Sequence, residues 1–147
     1  MKLDAVRRYR AQMEYVLRME FLRARQNLQD AETTCHVLDA QMRVTAERYF
    51  AKTSAGMALE EFLEWQVTFD AEAAMLTQAR QVEGRLRDEW NQKQNDLRDA
   101  MRECRTLDRL AERLRLQHQI LLHRVEQMQM DEAARRTSAM GSLNNPL

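Results

Sequence analysis

The sequence is poor in residues that turn a chain. Its 147 residues include three glycines and a single proline, Pro146, too few for the turns of a sheet protein or of a compact many-helix bundle. Three glycines cannot build a phosphate-cradling loop, and Gly84 stands alone inside a helical pattern, where glycine costs roughly 1 kcal/mol against alanine. An apolar run of about 18 residues, the minimum for a membrane-spanning helix, is missing. The stretch Met1-Lys2-Leu3-Asp4 lacks the apolar core of an export signal, so a cytoplasmic protein is expected. His36, His118 and His123 show neither the four-residue spacing of a helical zinc pair nor cysteine partners within reach. No metal and no cofactor is therefore expected.

Two long stretches carry a seven-residue apolar repeat instead, and the break between them is Ser54-Ala55-Gly56. In the first, Phe21, Leu28, Cys35, Met42 and Tyr49 form one row, with Leu17, Ala24, Ala31 and Leu38 between them at three-four spacing. In the second, Phe62, Phe69, Leu76, Trp90, Leu97, Cys104, Ala111 and Val125 alternate with Trp65, Ala79, Leu86, Ala100, Leu107, Leu114, Leu121 and Met128. Such rows are coiled-coil seams. Glu72, Glu83 and Lys93 interrupt the second seam, and polar residues at such places set register more often than they do chemistry. The expected fold is all-α, a long two-helix antiparallel coiled-coil hairpin with helix 2 overhanging helix 1. Its expected bounds are helix 1 over about 3–52, a turn at about 53–57, helix 2 over about 58–136 and a disordered tail over 137–147, in a single domain. A two-stranded rod has no water-excluding pocket, so an enzyme is not expected.

Pairing centred near Ala55 and Gly56 makes facing residue numbers sum to about 111 and sets Leu3 near Asp108. About 28 residues of helix 2 then lack an intramolecular partner. That overhang carries Leu110, Leu114, Leu116, Ile120, Leu121, Leu122, Val125, Met128 and Met130. At roughly 25 cal/mol per Å² of apolar surface, something is expected to cover them, either a second copy or a fold-back on one hand, or a dedicated partner on the other. The same register separates Cys35 from Cys104 by roughly 40 Å, so two buried thiols are expected and no disulfide.

Zero net charge conceals a polarity. Residues 1–30 and 91–136 together hold 17 basic and 12 acidic side chains, a net of +5, whereas residues 31–90 hold six and eleven, a net of −5. Arg7, Arg8 and Arg10 lie beside Arg98, Arg102 and Arg105 in the expected register. Asp96, Asp99, Glu103 and Asp108 among them would repel phosphates, so a protein surface with acidic loops fits this basic collar better than nucleic acid. Near the turn, Tyr49, Phe62, Trp65 and Phe69 belong to the seam, whereas Phe50 points away from it and is a candidate anchor.

The Ser-Ala-Gly turn, the segment Leu59-Glu60-Glu61-Phe62-Leu63-Glu64-Trp65-Gln66 and the late run Met130-Asp131-Glu132-Ala133 resemble the FliJ family of flagellar export proteins, and the related stalk proteins of injectisome secretion. The resemblance spans most of residues 5–136. It implies a cytoplasmic stalk of a type III export apparatus, similar in shape to the γ stalk of rotary ATPases. The partners implied are a hexameric export ATPase, the cytoplasmic domain of a membrane-bound export gate, and export chaperones, with contact to the inner membrane through partners only. Carried onto this chain, Met130, Asp131 and Glu132 match the late motif on the ATPase side, where Arg7, Arg8, Arg10, Arg109, Arg113, Arg115 and Arg124 would present their charge. Leu38, Met42, Tyr49 and Phe69 occupy the places used for the gate, with Phe50 beside them. The alternative class is a coiled-coil adaptor that dimerises through the overhang.

Overall fold

A computed structural model describes residues 2–143, all but three of them in two helices, α1 (Lys2–Ala55) and α2 (Leu59–Leu143). No strand occurs among the described residues. They fall into two compact units. One is Ala11–Met101, which contains the turn. The other takes in the described residues up to Arg10 and those from Arg102 onward.

The turn unit is an antiparallel coiled coil. Its less exposed positions alternate by three and four from Glu14 to Tyr49 on α1 and from Trp65 to Ala100 on α2, the spacing of knobs that enter the holes of a facing helix. Ala24, Leu28, Ala31 and Leu76 are the only buried hydrophobic residues among those described, so the core is a single narrow seam. Phe21 stacks on Trp90 with ring centroids 6.0 Å apart and planes at 25°. The polar interruptions pair across the helices. Lys93 Nζ lies 2.9 Å from a Glu20 carboxylate oxygen, and the Thr45 hydroxyl donates to Glu72 at 2.8 Å. Glu72 Oε2 and Trp90 Nε1 are buried without a partner.

These contacts correct the expected register. Facing numbers sum to 111 for Phe21 and Trp90, 113 for Glu20 and Lys93, 114 for Tyr49 and Trp65, and 117 for Thr45 and Glu72. The shift toward higher sums follows from the turn. Helix 1 runs past Lys52 to Ala55 and helix 2 starts at Leu59, which centres the reversal on Met57. Gly56 ends α1 with φ +92°, and its N–H donates to the Thr53 carbonyl at 3.2 Å. A residue with a Cβ is strained in that conformation, which is why glycine stands there. Lys52 in the last turn of α1 and Glu60 and Glu61 in the first turn of α2 suit the helix dipoles.

In the other unit, Arg7 reaches Asp108 at 3.0 Å and Arg10 pairs with Glu103. Cys104, Leu107 and Ala111 are partly covered, but every residue from Glu112 to Gly141 is exposed, so α2 overhangs α1. The expected tail also needs correction. α2 continues through Thr137-Ser138-Ala139-Met140-Gly141-Ser142 to Leu143, because extending a formed helix fixes one residue per added bond and nothing in that stretch breaks it. The Thr137 hydroxyl donates back to the Ala133 carbonyl at 2.9 Å. Residues 144–147 of the expected tail lie outside the described residues. Both cysteines are thiols and half-buried rather than buried. No helix is long and apolar enough to cross a membrane among the described residues.

Two glycine substitutions test this fold in opposite directions. A Cβ at Gly84 meets nothing within 4 Å, so Gly84→Ala is expected to stabilise by about 0.5–1 kcal/mol. Gly56→Ala is expected to destabilise by about 1–2 kcal/mol, since its open surroundings do not relieve the positive φ. Urea denaturation followed by circular dichroism measures both.

Candidate functional site

The heptad rows of α2 do not stop where their cover stops. Leu114, His118, Leu121, Val125 and Met128 continue the spacing of Leu107 and Ala111, and all five are exposed, Met128 by 69%. This is a seam with half of it absent. Around it Arg109, Arg113 and Arg124, like Arg8, form no ion pair among the described residues, whereas Arg115 is held by Glu112 at 2.6 Å. Met130 is exposed. Asp131 and Glu132 line an open groove on the helix surface with Val125, Met128, Gln129 and Arg135.

The basic collar is thinner than the sequence suggests. Arg7 is shared between Asp108 and Asp4, the second at 3.8 Å, and Arg10 is bound to Glu103. The changed register sets these arginines against acids, so their charge is partly neutralised within the chain. Arg8 keeps its full charge for another surface. Sequence reasoning missed the pairs because a slip of two to four residues exchanges an acidic for a basic neighbour on a helix with mixed charge.

The expected gate-side residues gather near the turn. Tyr49 is a hub, with ring centroids 5.4 Å from Phe69, 6.0 Å from Trp65 and 6.0 Å from Phe50. Edge-on geometry at 85° places the positive rim of one ring against the face of the other. Lys52 Nζ stands 5.9 Å from the Trp65 ring centre, within range of a cation–π attraction. Leu38 and Met42 are half-buried seam residues about three and two turns back along α1. Phe50 is 68% exposed, as its position off the seam implies. Phe62 was expected on the seam but is exposed, because the last turn of α1 has no large apolar side chain to cover it. With Tyr49, Gln66, Phe69 and Asp70 it lines a shallow groove.

A polar cluster lies mid-seam. Burial, then a hydrogen bond to Glu83, pushes the Cys35 thiol up, which makes it a poor nucleophile. That bond, followed by Arg87, holds the Glu83 carboxyl below the usual range. Arg87 bridges Glu83 at 2.9 Å and Glu32 at 3.2 Å and is itself raised, first by Glu32. The cluster ties α1 to α2. No group of three His, Cys, Asp or Glu side chains is placed to hold a metal ion among the described residues.

Among the described residues the fold is that of an antiparallel coiled-coil hairpin with long exposed faces. The family model described as "Flagellar FliJ protein" matches residues 1–141, so the chain belongs to the FliJ family. It is thereby a component of the flagellar export apparatus, from a family that is structural rather than enzymatic. No curated protein and no solved structure matches the chain significantly.

Two measurements probe these contacts. Tyr49→Ala is expected to destabilise by about 2 kcal/mol, less than a fully buried aromatic would, whereas exposed Phe50→Ala should change stability by under about 0.5 kcal/mol in thermal melts. The lowered Glu83 pKa contributes stability that is present above the ordinary glutamate range and lost as pH falls through the lowered folded value. Cys35→Ala should move the Glu83 titration, followed by carboxyl NMR, upward; an unmoved titration would mean that Arg87 alone sets it.

Proposed function

We propose that the chain is the stalk of the export apparatus, with the uncovered end of α2 inserted in a hexameric export ATPase and the aromatic cluster near the turn meeting the cytoplasmic domain of the export gate. The observation that carries this reading is the half-seam from Leu114 to Met128, an apolar face with the periodicity of a helix pair and no helix on it. Inserting it in a ring's pore would cover that face on several sides. Arg8, Arg109, Arg113 and Arg124 meet acidic loops of the ring, while Arg7, Arg10 and Arg115 act with their charge reduced by Asp108, Glu103 and Glu112. Met130, Asp131 and Glu132 extend this contact along the helix. Leu38, Met42, Tyr49, Phe50 and Phe69 form the gate contact, in which Phe50 is the exposed anchor and the others hold the surface in shape. Export chaperones that have released their cargo are further partners. The protein works in the cytoplasm, reaches the inner membrane through these partners alone, and acts as one hairpin domain.

Charge reversal at Arg109, Arg113 and Arg124 tests the ATPase contact. The triple glutamate variant should keep the parent's helix content, bind the export ATPase at least tenfold more weakly, about 1.4 kcal/mol, and stimulate its turnover less. Full stimulation by that variant would reduce the arginines to a solvated face. Phe50→Ala should lower gate binding and leave ATPase binding unchanged, which separates the two contacts.

A further inference from the structure

The turn unit carries an apolar face that neither the seam nor the stalk reading uses. Tyr15, Val16, Met19 and Leu22 lie on the outward side of α1, and all are exposed, Tyr15 by 61%. Positions 15, 19 and 22 have the i, i+4, i+7 spacing of one helix face, offset from the seam positions Glu14, Leu17 and Phe21. The outward side of a coiled coil is ordinarily where the charges go. Here the two nearby acids lie toward the seam, and Arg18, the one basic residue between Tyr15 and Leu22, is paired. Glu14 sits on the seam side and is held by Arg18 at 2.8 Å, and Glu20 is drawn across the seam to Lys93. The next charged side chains beyond the patch are Arg23 and Arg25, one turn on from Met19 and Leu22; both are exposed, and neither forms an ion pair among the described residues. Gln12 and Gln26 close the two ends of the face.

We propose that this outward face docks an acidic amphipathic helix of a partner protein. Its apolar stripe covers Tyr15, Val16, Met19 and Leu22, and its carboxylates meet Arg23 and Arg25. Tyrosine and methionine are the side chains that supply contact area at the centre of an interface. Charge selects the partner, because an acidic rim pairs with two unneutralised guanidinium groups. A second copy packed in parallel on this face would set the same arginines near one another. Four side chains cover less than the roughly 800 Å² per partner of a stable complex, so the contact is transient. Such a contact suits a partner that is taken up and handed on.

The 147-residue chain can be tested with two synthetic helical peptides of about three heptads, identical in their leucine stripe and flanked by glutamate in one and lysine in the other. The glutamate peptide is expected to shift the amide NMR signals of residues 12–26. Tyr15→Ala with Met19→Ala should weaken its binding about tenfold or more. Arg23→Glu with Arg25→Glu should turn the preference toward the lysine peptide. Circular dichroism of both double variants should match the parent, since the altered side chains are exposed. Equal binding of the two peptides, shifts centred on Leu114 to Met128, or a dimer of the free chain lost on Tyr15→Ala with Met19→Ala would each overturn the proposal.

Discussion

One strip of knobs-into-holes packing holds the two helices of the turn unit together, and it is thin. Among the described residues only Ala24, Leu28, Ala31 and Leu76 lose nearly all contact with water, so no layer of residues lies behind the seam to share the load. A fold of this kind gathers stability from many partly buried side chains, each contributing a fraction of what a fully buried one would. Two consequences follow. No enclosed cavity forms between two helices that share one contact line, and most of the described side chains lie on outward faces. A helix that runs beyond its partner keeps the periodicity of the seam without the cover, as α2 does from Leu114 to Met128.

Electrostatics works on this frame by selection more than by strength. Exposed ion pairs such as Arg7 with Asp108 contribute little to stability each, yet Lys93 with Glu20, Arg87 with Glu32 and Thr45 with Glu72 are specific to one alignment of the helices. An apolar seam alone tolerates slippage, and polar residues within it penalise the wrong alignments. The same pairing decides which arginines remain for other molecules. Arg7, Arg10 and Arg115 have acidic partners in the chain, whereas Arg8, Arg23, Arg25, Arg109, Arg113 and Arg124 have none among the described residues.

The surfaces left over differ in chemistry. Leu114 to Met128 form an aliphatic half-seam edged by arginines, Tyr49 and its neighbours form an aromatic cluster beside the acidic first turn of α2, and Tyr15 to Leu22 form an outward stripe with basic residues at one end. Surfaces divided in this way can be read separately, because each offers a different combination of shape and charge.

Much of this was legible beforehand, for a definite reason. A seven-residue period is a property of the chain, so the rows from Leu17 to Tyr49 and from Trp65 to Ala111, the reversal near Gly56, the exposure of Phe50 and the excess length of the second helix followed from the residues alone. The outward stripe at Tyr15, Met19 and Leu22 was equally present in the pattern and was hidden only by the stronger seam beside it. Periodicity assigns a side chain to a face but leaves the alignment of two helices along their axes open. That alignment was decided in three dimensions, where Gly56 closes α1 and α2 resumes at Leu59, and the polar seam residues accept one set of partners. With it came the pairing of Arg7 with Asp108 and Arg10 with Glu103, and the loss of cover over Phe62. Each of these depends on which residue stands opposite, a distance of one helical turn that no single-chain period can supply.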